Sequence, residues 1–198
     1  MRRLFLVAAA LLMGCAKKTV AQHHYYSLVL EAAEGRVPPT QGVSKARVDL
    51  VEVALPEFLK SRSLVLQVNS NEVSHAKHHH WGEPLDVAVG KVLAWDLAEA
   101  LPSLDVAPRP GRGADCTLKV EFDRLHATGD SRVLVSGRYT LNLGERVVRR
   151  EFDVTQVQHG DGYTSAVAGM RRAIDALSEQ MRPAVARCIP PDKISFDK

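Results

Sequence analysis

The 198-residue sequence has few aromatic residues and little net charge, and both shortages exclude classes of function. Aromatic residues make up 6% of the chain, which is too few for a protein that binds single strands by base stacking. Lys and Arg number 26 against 23 acidic residues, a net charge of +3, and a protein built to neutralise phosphates needs more. We therefore expect no nucleic-acid partner.

The sequence also lacks the motifs of common catalytic and nucleotide-binding sites. It contains no Gly-x-Ser-x-Gly nucleophile elbow, no His-Glu-x-x-His zinc motif, no P-loop and no Gly-x-Gly-x-x-Gly loop. The hydrophobic share of 45% is nevertheless ordinary for a globular protein, and the length fits one domain. We predict a protein that is not an enzyme and holds no cofactor.

A long hydrophobic run is missing as well. The one apolar run, residues 4–13, is ten residues long, whereas a membrane-spanning helix needs about 20. It follows Arg2 and Arg3, as the apolar part of a secretory signal does. The run ends in Leu12-Met13-Gly14-Cys15, which resembles a bacterial lipobox, whose cysteine is lipidated and becomes the new amino terminus. We predict a signal peptide at 1–14 and a lipidated tether at 15–22. A plain signal peptide with an incidental cysteine is the alternative.

The residue after Cys15 influences whether a lipoprotein stays in the inner membrane or moves to the outer membrane. Ala16 stands there, and not the Asp that usually retains a lipoprotein in the inner membrane. Several acyl chains on Cys15 would anchor the protein durably, whereas one chain would bind marginally. We predict the inner leaflet of the outer membrane, with the domain facing the periplasm.

Cysteine is scarce, and three cysteines cannot form a disulfide scaffold. Apart from Cys15, the sequence contains Cys116 at the start of a predicted strand and Cys188 after the last predicted helix. An even pair in an oxidising compartment suggests one disulfide. Two separate buried thiols are the alternative, because sequence alone does not show that the residues are close.

Hydrophobic periodicity predicts one domain at 23–188, followed by a loose tail at 189–198. Alternating apolar residues predict strands, and apolar residues on one face predict two main helices. The strands are expected at 25–30, 48–55, 64–68, 72–78, 116–123, 133–143 and 148–154, and the helices at 85–97 and 167–181. Arg171 and Arg172 fall off the apolar stripe of the second helix, which predicts a solvated face; a partner or lipid-headgroup contact is the alternative. The expected fold is an α/β (α+β) sandwich, with a mixed, largely antiparallel sheet that carries both helices on one face.

A run of histidines is the most conspicuous polar cluster. His75, His78, His79 and His80 could in principle bind zinc, copper or nickel. Adjacent strand residues point to opposite faces, however, so His78 and His79 cannot easily share one ion. We therefore predict no metal site and keep these four histidines as weak candidates. A solvated hairpin end is the favoured interpretation.

The segment Trp81-Gly82-Glu83-Pro84-Leu85 joins this hairpin to the first helix. Trp81 is expected to anchor the corner in the core, packed under the helix. The alternative is a partner surface formed by Trp81, Glu83, Pro84 and His79, because exposed aromatic residues often anchor interfaces.

The order of several segments resembles the PqiC/YmbA-type family, the auxiliary lipoprotein components of ABC-type transport systems. The matching segments are the lipobox at Cys15, Tyr25-Tyr26-Ser27-Leu28, residues 51–59, Asn71-Glu72-Val73, Trp81-Gly82-Glu83-Pro84-Leu85, residues 93–97 and Gly162-Tyr163. His78 to His80 depart from the family pattern, in which a basic residue often precedes the tryptophan. The resemblance covers Tyr25 to about Met181.

The resemblance implies a non-enzymatic periplasmic lipoprotein. The predicted fold also resembles the amino-terminal domain of TolB-like proteins. The family resemblance implies work with an MCE-domain protein and an inner-membrane ABC or related complex, together moving lipid between the inner and outer membranes. Assembly as a homo-oligomeric ring is a further implication. Two alternatives remain open. One is a metal-binding lipoprotein that uses His75 to His80, and the other is a structural envelope lipoprotein with Tol or peptidoglycan partners.

Overall fold

An eight-stranded sheet forms the centre of the protein in the computed structural model, which describes residues 21–30 and 46–189. The predicted signal peptide, Cys15, the first part of the tether and residues 190–198 of the predicted tail lie outside the described residues. The strands are β1 (His24–Tyr26), β2 (Ala46–Ala54), β3 (Ser63–Asn69), β4 (Glu72–Trp81), β5 (Leu104–Ala107), β6 (Cys116–Thr128), β7 (Arg132–Leu143) and β8 (Arg146–Val157).

The strand β6 organises the sheet, because it pairs on both edges. Its whole length pairs antiparallel with β7, which pairs antiparallel with β8. On the other edge, its first half pairs parallel with β2, which also pairs with β5, and its end pairs parallel with β3. Antiparallel β4 and then parallel β1 complete that side. The longest pairings are antiparallel, so the predicted mixed, largely antiparallel sheet is confirmed.

Two helices, α1 (Leu85–Ala100) and α2 (Gly162–Val185), pack on the sheet and against each other. Their predicted apolar faces are the buried ones, with Val89, Leu93 and Leu97 of α1 fully enclosed. The helix α2 continues two residues past Pro183, because a proline in the last turn removes only one hydrogen bond. Neither these helices nor any other described helical segment is long and apolar enough to span a membrane.

One close approach between strands depends on a glycine. Gly137 of β7 has φ +157°, and a Cβ there would lie 2.9 Å from the Cα of Phe122 and closer still to the Glu121 carbonyl oxygen. This contact falls beside the irregularity in the β6–β7 register between Phe122 and Arg124. Glycine is therefore required where β7 crosses the bulge of β6.

A buried ion pair joins the two helices. Arg171 of α2 donates two hydrogen bonds to the Asp96 carboxylate of α1, at 3.0 and 2.8 Å, and it also pairs with Asp175. The side chains of Arg171 and Asp96 are only 8% and 9% exposed. The predicted solvated face is therefore wrong at Arg171, because the neighbouring helix covers this residue and supplies its acidic partner.

Cys116 and Cys188 lie side by side, where the end of α2 returns to the start of β6. Their Cα atoms are 6.1 Å apart, within the range that a disulfide spans, and the two sulfur atoms are at bonding distance. This arrangement fits the predicted disulfide and gives no support to two separate thiols.

Candidate functional site

The parallel pairing of β1 with β4 brings the residues that follow the predicted tether to the histidine run. His24 lies opposite His79, Tyr25 opposite His80 and Tyr26 opposite Trp81. The backbone N–H of Gly82 donates to the Tyr26 carbonyl at 2.8 Å and extends the pairing by one bond. We call residues 23–26 and 78–81, together with Tyr163, the β1–β4 junction.

One group of rings in the junction faces the helices, and we call it the inner group. The His79 ring stacks on Tyr163 in the first turn of α2, with ring centroids 3.8 Å apart. His24 stacks on His79 at 4.9 Å, and the Tyr26 hydroxyl shares a 2.8 Å hydrogen bond with His79 Nδ1. The inner group thus connects the chain that follows the tether to the start of α2.

His23, His78 and His80 form a second group on the opposite side of the strands, which we call the outer histidines. Successive strand residues alternate between faces, so His78 and His80 point away from His79. His23 stacks on His80 with centroids 5.1 Å apart and meets His78 edge-on at 5.2 Å. The nitrogens His23 Nδ1 and His80 Nε2 are 2.9 Å apart.

The surroundings favour the uncharged form of two of these imidazoles. Loss of hydration lowers the pKa of His78, and the nearby positive charges of His23 and Lys77 lower it further. Burial likewise lowers the pKa of His79, with smaller contributions from His24 and His78. Both rings therefore carry unprotonated nitrogens at neutral pH.

The four weak metal candidates do not converge. The His75 ring bonds the Ser61 hydroxyl at 3.0 Å, and His79 belongs to the inner group. Only His78 and His80 share a face. Within 21–30 and 46–189, no group of three or more His, Cys, Asp or Glu side chains could hold a metal ion.

Trp81, the central residue of the partner surface that the sequence suggested, is not available to a partner. Trp81 is 4% exposed and belongs to the core, so its assignment to a partner surface is wrong, and it acts as the expected core anchor. The corner is fixed by the Trp81 N–H, which donates to the Arg62 carbonyl at 2.7 Å, and by an ion pair between Glu83 and Lys91 at 2.6 Å. Glu83 is half-buried and Pro84 exposed, so the solvent-facing part of the corner is small.

The other end of β4 is more open. Val68 of β3 and Val73 of β4 flank the hairpin turn and are 55% and 37% exposed. Asn69 closes the turn through its side-chain oxygen, which accepts from the Asn71 N–H at 3.0 Å. The turn is thus well formed and presents two apolar side chains to solvent.

Sequence reasoning missed three members of the junction, His23, His24 and Tyr163. Nothing in the sequence singled out His23 and His24, and Tyr163 entered only through the Gly162-Tyr163 segment of the family resemblance. The contact between His23 and His80 joins residues 57 positions apart, so no local pattern could reveal it.

Comparison with protein families identifies the chain. The model for the ABC-type transport auxiliary lipoprotein component matches residues 26–182. The "Intermembrane transport lipoprotein PqiC" of Escherichia coli is 29% identical over 161 residues, which cover 81% of this chain and 84% of that protein. The Shigella flexneri protein of the same name matches with the same values.

Solved structures agree on the fold. The crystal structure of an uncharacterized protein has a TM-score of 0.72 and 25% identity, and the match covers 83% of this chain and 99% of that one. A Xanthomonas campestris protein has a TM-score of 0.60 at 15% identity and covers 77% and 92%, respectively. The family match spans most of the chain and confirms the resemblance found in the sequence. The chain belongs to the family of ABC-type transport auxiliary lipoprotein components.

Proposed function

We propose that the protein is an outer-membrane-anchored periplasmic lipoprotein that serves an MCE-type, ABC-transporter-linked system for moving lipid between the inner and outer membranes. Its role in that system is to dock the MCE-domain protein. The family match over residues 26–182 carries the proposal, together with relatives named as intermembrane transport lipoproteins that align over 81% of the chain. The family is described by a transport role and not by an enzymatic activity.

The short connection between Cys15 and the sheet supports a docking role. The strand β1 begins at His24, nine positions after the predicted lipid anchor. An extended chain of that length reaches at most about 30 Å. The domain would therefore stay close to the membrane surface, where a conduit arriving from the inner membrane has to meet it.

The anchoring part of the proposal predicts a change of membrane when Ala16 is replaced. We expect the wild-type lipoprotein to fractionate with the outer membrane, and Ala16→Asp to shift it to the inner membrane. Ala16→Ser, which keeps a small residue without the charge, should leave the distribution unchanged. Density-gradient fractionation measures the distribution, and mass spectrometry of the amino-terminal peptide measures acylation of Cys15. A wild-type protein released without detergent, or an unmodified Cys15, would contradict the proposed anchor.

For the docking surface we propose the exposed part of the Trp81 corner, Glu83 and Pro84, with the edge of His79, and the hairpin turn at Val68 and Val73. A photoreactive residue at position 84 or 73 should cross-link to the MCE-domain protein in intact cells. Position 147 is the matched control, because Val147 is 54% exposed in β8, outside the proposed surface. Equal cross-linking from position 147 would place the partner elsewhere. Products between two copies of the chain would support a homo-oligomer, such as the ring that the family resemblance implies.

A further inference from the structure

A cavity of about 250 Å³ opens where α2 ends beside β7 and β8. Its polar walls include Tyr139 of β7, Arg150 of β8 and Arg187, which lies in the short helical turn after α2. Val148 and Ala184 contribute apolar walls. Two cationic side chains thus meet at one cavity, although they are far apart in the sequence.

The backbone places both arginines beside Tyr139. The β7–β8 register sets Arg150 directly opposite Tyr139, so the two side chains share one face of the sheet. Arg187 precedes Cys188, which lies against Cys116 at the start of β6. The two cations therefore come from two elements, each of which is held to the sheet by its own contacts.

The hydroxyl of Tyr139 has no hydrogen-bond partner among the described residues, although this residue is only 5% exposed. Burial raises the pKa of Tyr139, and the positive charges of Arg150 and Arg187 oppose that rise, so both guanidinium groups lie near the hydroxyl. Buried polar groups are normally hydrogen-bonded. An unpaired hydroxyl beside two cations is suited to hold an anion.

Neither arginine forms an ion pair in the part of the chain that the structure describes. Arg150 donates one hydrogen bond to the backbone carbonyl of Arg149 at 3.1 Å, which leaves the other N–H groups of its guanidinium free. Glu151 also lines the cavity but pairs with neither Arg150 nor Arg187. The two guanidinium groups outnumber this single carboxylate, so the cavity carries a net positive charge.

We propose that Arg150, Arg187 and Tyr139 bind a phosphate group in this cavity. Guanidinium groups match the oxygen atoms of phosphate, and the tyrosine hydroxyl can donate to a further oxygen. Donors that arrive from three elements suit the tetrahedral oxygens of phosphate better than the two oxygens of a carboxylate. The phosphate belongs either to a phospholipid headgroup or to a free phosphate ion.

The size of the cavity limits what else it can hold. Pockets for drug-sized ligands measure about 300–1,000 Å³, so this smaller cavity takes a headgroup and not a whole lipid. Binding here does not depend on the docking role proposed above, because the docking surface lies on β3, β4 and the corner before α1.

The test uses full-length lipoprotein in a non-ionic detergent and isothermal titration calorimetry, with titrations into empty micelles subtracted. The probes are sodium phosphate and dihexanoylphosphatidylglycerol, a short-chain phospholipid. We expect one site per chain, with binding that weakens as NaCl is raised, because salt screens the charges. Tighter binding of the phospholipid would identify a lipid headgroup as the ligand, and tighter binding of sodium phosphate would identify the free ion.

Arg150→Gln and Arg187→Gln should each weaken binding at least tenfold, and Tyr139→Phe, which keeps the buried ring, about threefold. Glu151→Gln should strengthen binding, because it removes the opposing charge. The matched control is Arg149→Gln, which removes the same charge from β8 but on the opposite face of the sheet, and it should bind like the wild type.

The melting temperature of each variant shows whether its fold is intact. Binding of neither probe, unchanged binding in Arg150→Gln and Arg187→Gln, or equal weakening by Arg149→Gln would overturn the proposal. Unchanged binding in Tyr139→Phe would overturn the role of the hydroxyl.

Discussion

Replacing Asp96 by alanine should lower the free energy of unfolding by about 3 kcal/mol, the lower end of the cost of breaking a buried ion pair. The reason is that Arg171 would keep its charge with its side chain 8% exposed, after losing both hydrogen bonds to Asp96. Asp175 would still pair with Arg171 and would limit the loss. Urea unfolding measures the difference in free energy of unfolding between the two proteins. An equal dependence of that free energy on urea concentration in both proteins would show that the comparison is valid.

Asp175→Asn is the matched control for this prediction. It also removes an acidic partner of Arg171, but the Asp175 side chain is 48% exposed. Water can replace it, and its raised pKa means that the folded protein disfavours its charge at neutral pH, so we expect no loss of stability. An Asp96→Ala variant as stable as the wild type would contradict the view that this pair holds α1 and α2 together.

The same cluster gives stability a dependence on pH. Burial, against the attraction of Arg171 and with the help of the neighbouring Asp96 carboxylate, raises the pKa of Asp175 to about 6. The folded protein therefore holds this proton more tightly than the unfolded chain. The stability that the folded protein gains from binding this proton is present below pH 4, and it is lost as pH rises from about 4 to 6. Asp96→Asn should lower the pKa of Asp175, which carboxyl NMR titration measures.

Removing the bridge between Cys116 and Cys188 should lower the free energy of unfolding by about 4 kcal/mol in the chain-entropy model. The two residues are separated by 72 positions, so an intact bridge closes a long loop and restricts the unfolded chain. The expected loss is the difference between the wild type and the Cys116→Ser, Cys188→Ser double variant in urea. The reductant dithiothreitol should destabilise the wild type by a similar amount.

A thiol assay supplies the control for that prediction. Wild-type protein isolated from the periplasm and unfolded in urea should not react with a thiol reagent. After reduction it should show two reactive thiols. Two reactive thiols before reduction would contradict the bridge. A reductant effect that persists in the double variant would show that the destabilisation has another cause.

The sheet was predictable wherever one of its faces is buried. In β6 and β7 the apolar residues alternate almost without interruption, and that alternation located β7 and the start of β6, although β6 runs on to Thr128, beyond its predicted end at 123. The helices were predictable for the same reason, since Val89 and Leu97 of α1 lie on one apolar face. The short strand β5 was missed, because its four residues are too few to show a period.

Charge and exposure were harder to predict than the secondary structure. Arg171 lies off the apolar stripe, and only the position of α1 reveals that Asp96 covers it. The sequence alone could not decide whether Trp81 lies in the core or at an interface, because both environments accept an aromatic residue. The structure was needed to decide it. The sequence contained every histidine of the β1–β4 junction but not the pairing that sorts them into an inner and an outer group.

The central claim is that this lipoprotein docks an MCE-domain protein, and affinity capture tests it most directly. The full-length protein, with a tag other than polyhistidine, is purified from detergent-solubilised envelopes, and its partners are identified by mass spectrometry. We predict stoichiometric recovery of an MCE-domain protein, reduced at least tenfold when Val68 and Val73 are changed to Lys and retained when Val147 is changed to Lys. Recovery of only Tol or peptidoglycan-associated proteins, or of no partner, would contradict the account.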